Sequence, residues 1–75
     1  MLIFTYPCTA HDAWSRIIDA LNYHRMGHVK PTAPTRKVTG TTWEFETTMQ
    51  DLTSEEELLL HMKFSGDKDV NVKVA

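Results

Sequence analysis

The residues predict an α+β domain in which one N-terminal helix lies across an antiparallel β-sheet. Three patterns carry that expectation. From Thr9 to Gly27 the apolar residues Ala10, Ala13, Trp14, Ile17, Ile18 and Leu21 recur at three-and-four spacing, which lines them up on one stripe of a helix. From Thr42 the period is two, with Trp43, Phe45, Thr47 and Met49 on a dry side expected to face the core and Thr42, Glu44, Glu46 and Thr48 on a wet one. Val70, Val72 and Val74 alternate with Asn71 and Lys73 in the same way. Fully burying Trp14, Ile17, Ile18 and Leu21 would contribute roughly 1.5–3 kcal/mol each. The other apolar segments read as strands, so the helix is expected to cover a sheet.

Taken in order, Leu2–Tyr6 is a short run of strand-favouring residues closed by Pro7, which cannot donate to a ladder and restricts the residue before it. Thr9 stands three residues before Asp12, the spacing of an N-cap with an acid near the positive end of the helix. His24 and Arg25 suit the negative end, and Gly27 can take a left-handed cap, so the helix should stop near Met26. His28–Thr35, with Pro31 and Pro34, reads as an extended surface connection. Arg36–Gly40 reads as the start of a strand that bends at Gly40.

Leu58–Phe64 admits two readings. Thr53 and Glu56 have capping-box spacing, and Glu, Leu and Met favour helix. Period two, however, sorts Leu58, Leu60, Met62 and Phe64 inward and Leu59, His61 and Lys63 outward, better than ~100° per residue does. With Ser65–Asp69 as a turn, the strand reading makes a C-terminal hairpin with Val70–Val74. The expected order is then β-α-β-β-β; the helix reading gives β-α-β-β-α-β, the ferredoxin-like order, provided Arg36–Gly40 is a separate strand. Either way residues 1–75 form a single domain with no internal repeat and no low-complexity tract.

Composition bounds the function classes. At 75 residues a large buried catalytic cavity would be costly to maintain. Hydrophobic and charged contents of 41% and 24% are those of a chain that folds, and a net charge of −2 gives no overall pull toward nucleic acid or anionic lipid. Cys8 is the single cysteine, so no intrachain disulfide can form and a reducing cytoplasm is expected. No run approaches a membrane span, and the apolar start before Pro7 is too short for a signal peptide. The chain opens directly in a strand, as a complete small gene product or a trimmed domain would.

Four constellations could carry chemistry. Cys8, His11, His24 and His28 have the spacing of a zinc finger with one Cys replaced by His, but a continuous helix would hold His11 and His24 about 20 Å apart at ~1.5 Å per residue. No metal and no cofactor are therefore expected. Cys8 before a helix start, near His11, has the surroundings of an activated thiol and equally those of a packed small residue, and packing is the expectation. No catalytic residue is assigned, and the outward pair Glu44 and Glu46 lacks a pocket to shift its titration. Arg25, Lys30, Arg36 and Lys37 concentrate positive charge around the proline loop and would contact phosphates if the loop, residues 25–37, bound nucleic acid, though no ring is interleaved among them beyond Tyr23. Glu44, Glu46, Asp51, Glu55, Glu56 and Glu57 make the following stretch acidic, the charge pattern that could mimic a phosphate backbone before a basic groove.

The expected function is that of a small cytoplasmic protein–protein interaction module, without enzymatic activity or membrane attachment. An inhibitor or adaptor of a larger host or nucleic-acid-processing machine, in the style of small proteins encoded by phages and mobile elements, fits its size. The acidic residues would be its contact face, and nucleic-acid binding through the basic loop is the alternative. The last strand, if left at an edge, could also pair with a second copy to give a homodimer.

Overall fold

The computed structural model describes residues 1–75, the side chain of Thr39 excepted. The elements are β1 (Leu2–Pro7), α1 (Ala13–Tyr23), β2 (Thr35–Thr39), β3 (Thr42–Met49), α2 (Ser54–Phe64) and β4 (Asn71–Val74). Four strands form one sheet in the order β2-β3-β1-β4, every neighbouring pair antiparallel. This is the α+β class expected, with the β-α-β-β-α-β order of the ferredoxin-like alternative. No helix among the described residues is long and apolar enough to cross a membrane.

Alternation along β1 decides which face is dry. Leu2, Phe4 and Tyr6 are buried, and opposite them stand Met49, Thr47 and Phe45 of β3. Ala13, Ile17, Ala20 and Leu21 of α1 and Leu60 and Phe64 of α2 close over this face, with the Phe4 and Phe64 rings edge to face at 5.6 Å. The register leaves Ile3, Thr5, Lys37, Glu44, Glu46 and Lys73 on the helix-free face.

The segment read as a strand, Leu58–Phe64, is the second half of α2. Its cap is the one its sequence spells: Thr53 Oγ1 accepts from the Glu56 N–H at 3.1 Å, and Glu56 Oε1 accepts from the Thr53 N–H at 2.9 Å. Only Leu60 and Phe64, one turn apart, reach the core, while Leu58 and Met62 stay 61% and 65% exposed. Period two failed here because it assigned a core role to apolar side chains that have none. Ser65–Asp69 consequently joins α2 to β4 instead of turning a hairpin.

The first helix is shorter than Thr9–Gly27. Cys8 N–H still donates to the Trp43 carbonyl at 3.1 Å, so the chain must complete its last bond to the sheet before it can coil. Turns bonded from Ala10 N–H to Pro7 O and from Ala13 N–H to Ala10 O fill the gap, and Asp12, not Thr9, is the N-cap. At the other end Arg25, with φ of 57°, takes the left-handed position assigned to Gly27. Arg25 N–H bonds Asn22 O and Met26 N–H bonds Leu21 O, the paired bonds of a Schellman motif. Burial of Met26 against Leu21 fixes the motif one residue after Arg25, at a backbone cost of about 1–2 kcal/mol for a non-glycine residue.

The proline-containing connection is strapped to β3 by threonines. Thr32 N–H donates to Thr48 O, Thr48 N–H donates to Thr32 Oγ1 at 2.9 Å, and the fully buried Thr47 hydroxyl donates to Thr32 O at 2.5 Å. This pairing delivers the chain into β2 alongside β3. Gly40, φ 63°, then occupies the first central position of the two-residue turn between Thr39 and Thr42.

A candidate binding groove at the hairpin end

The two-residue turn dictates which side chains meet on the β2–β3 hairpin. Val38 falls opposite Trp43, and Arg36 opposite Phe45, all four on the helix-bearing face. The helices stop short of this end of the sheet. Trp43, expected to be buried, is therefore 53% exposed and Val38 57%. The Arg36 guanidinium lies 5.2 Å from the centre of the Trp43 ring, a cation–π stack on the exposed surface of the hairpin.

Between this hairpin and the turn from β1 to α1 lies a groove of about 700 Å³. Pro7, Cys8, Thr9, His11, Arg36, Thr42, Trp43 and Phe45 line it, a mostly apolar wall with a cationic rim and no carboxylate. Its volume is within the ~300–1,000 Å³ of small-ligand and side-chain pockets. Beneath it the Tyr6 ring packs 5.7 Å from Phe45, and burial, with Cys8 adding to it, pushes the Tyr6 phenol above its ordinary range. Chemically the groove can seat an apolar side chain against Trp43 and Phe45 while Arg36 meets an anion.

The acidic residues occupy separate places. Glu44 and Glu46 project from the helix-free face, where Lys37 Nζ reaches Glu46 Oε2 at 3.0 Å. Asp51, with φ of 61°, and Glu55, Glu56 and Glu57 sit where β3 leads into α2. Glu56 pairs with His28 Nε2 at 3.0 Å, and Glu57 with the Met1 amino group at 3.1 Å. The Thr53 N–H, against an opposing effect of desolvation and helped by His28, holds the Glu56 carboxyl below its ordinary value.

The basic residues diverge as well. Arg25 ends α1, and Lys30 lines a smaller cleft of about 360 Å³ with His28, Thr32, Thr48 and Asp51. Arg36 and Lys37, adjacent on a strand, point to opposite faces. Of the histidines, His11 lines the groove, His24 packs its ring 5.0 Å from Tyr23, and His28 pairs with Glu56. No three His, Cys, Asp or Glu side chains among the described residues converge as metal ligands would.

Residue type alone groups Arg36 with the cations and Trp43 with the core, whereas the hairpin register brings the two together. Counting outward from a turn at Gly40–Thr41 would have found their pairing, since that turn fixes every cross-strand partner in the hairpin. No protein-family model, curated protein or solved structure matches this chain.

Proposed function

We propose that this chain is a non-enzymatic contact module that holds a segment of another protein in the groove beside the β2–β3 hairpin. The observation that carries the reading is the half-exposed Trp43, stacked beneath Arg36 at the rim of an apolar groove. Trp and Arg are the residue types on which binding energy concentrates, and stacking one on the other reduces the entropy each loses when a partner arrives. The contact surface is thus centred on an aromatic–cation pair and not on Glu44, Glu46, Asp51, Glu55, Glu56 and Glu57. A free thiol at Cys8 suits a reducing compartment such as the cytoplasm.

The test is affinity capture from the native extract with three baits. Wild-type protein and Leu58→Ala, an exposed apolar control on α2, are expected to retain a common polypeptide. Trp43→Ala is expected to bind it at least about 30-fold more weakly, the loss typical of a central aromatic anchor. Retention indifferent to Trp43, or no retained polypeptide, would contradict the reading.

A further inference from the structure

We infer that the segment held at the hairpin is an acidic, extended strand that adds to the free edge of β2 and places a carboxylate on Arg36. The inference rests on the contact-module reading and adds the chemistry of the occupant.

The first support is the direction of the backbone. In a hairpin closed by a two-residue turn, the flanking pair Thr39 and Thr42 exchanges hydrogen bonds, and the bonded pairs recur at every second residue. Lys37 with Glu44 and Thr35 with Glu46 are then the bonded pairs. Val38 with Trp43 and Arg36 with Phe45 are the pairs whose main-chain groups point away from each other. The Trp43 carbonyl obeys this, accepting from Cys8 N–H on the β1 side. Arg36 and Val38 therefore turn their N–H and C=O groups outward along β2, which has no neighbour on that side. A strand bonding to these groups continues the sheet and carries alternate side chains on the face where Trp43 and the groove lie.

The second support is charge. Arg16 is matched to Asp67 and Asp69, and Lys37 to Glu46. Arg36 has no ion-pair partner among the described residues and stacks on the Trp43 ring. The groove it overhangs contains His11 and no carboxylate. Stacking on the ring leaves the edge of the exposed guanidinium available for a bidentate carboxylate. An acid two residues from an apolar side chain in an extended segment would bring the first beside Arg36 and the second beside Val38, and a long apolar side chain there reaches over Val38 toward Trp43.

A random peptide library selected against the protein, with Trp43→Ala as counter-selection, tests this. The expected Trp43-dependent peptides alternate Asp or Glu with β-branched or aromatic residues. They lose about tenfold in affinity against Arg36→Gln, lose as much when their acids are changed to amides, and slow hydrogen exchange at the Arg36 and Val38 amides on binding. Selected peptides that are neutral or basic, or that leave those two amides unprotected, overturn the inference while leaving the Trp43-centred contact module standing. Competition for the same residues by a single-stranded oligonucleotide, or by a second copy in a concentration-dependent dimer, also overturns it. So does a selection that yields no Trp43-dependent peptide, whereas the contact-module reading falls on the capture experiment.

Discussion

Replacing Phe64 by Ala is expected to destabilise the protein by about 3–5 kcal/mol, the cost of deleting a buried ring whose site cannot fully collapse. Phe64 is the anchor that holds the last turn of α2 against Phe4 at the centre of the sheet. Domains of this size have on the order of 4–11 kcal/mol in total, so the variant should lose roughly 12–40 °C in Tm and unfold partly at ambient temperature. Leu58→Ala and Met62→Ala should stay within about 0.5 kcal/mol of wild type, because both side chains already lie in water. Urea unfolding of the three variants checks this. The contrast also separates helix from strand: inward positions of a strand at Leu58, Leu60, Met62 and Phe64 would all be costly to truncate.

Asp67→Ala is the second large effect, expected at about 2–3 kcal/mol. One carboxylate oxygen accepts from the Asp69 and Val70 N–H groups at 2.9 and 3.1 Å, shaping the turn that delivers Val70 to the core. The other takes Arg16 Nη1 of α1, whose Nη2 reaches Asp69 at 3.1 Å, so the pair ties the first helix to the connection after the second. Burial by itself would raise the Asp67 carboxyl; the two backbone donors, Arg16 and Lys68 together outweigh it and hold the group below its ordinary value of 3.8. A depressed carboxyl stabilises the fold above its unfolded value and loses that contribution as pH falls through its folded value. Wild-type stability should therefore be level down to about pH 5 and fall below it, with Glu56 contributing in the same direction. Asp67→Ala should show a shallower acid limb. Thermal unfolding from pH 7 to pH 2 measures both slopes.

Much of the fold was legible in the residues because one-sided burial leaves a period. Leu2, Phe4 and Tyr6, and the run from Thr42 to Met49, alternate in sequence as they do in the sheet. Thr53 and Glu56 announced α2 by their cap. Its body was misread because Leu58 and Met62 are apolar and exposed, so residue type and burial disagree there. The ends of α1 depended on tertiary facts, a Cys8–Trp43 backbone bond at one end and the burial of Met26 at the other, which no local pattern records. The groove was the least legible feature. Its lining comes from the β1–α1 turn and from both arms of the hairpin, and residue counts alone cannot tell how far the helices extend over the sheet.

The outer strand of the hairpin presents Arg36 and Val38 to solvent through both backbone and side chain. Residue-resolved amide hydrogen exchange on the free protein tests that most directly. Along β2 the Lys37 amide should exchange slowly, held by Glu44 across the hairpin, while the Arg36 and Val38 amides on either side exchange near the rate of open chain. Slow exchange at Arg36 and Val38 together with Lys37 would mean that the edge is already occupied, and would contradict the account.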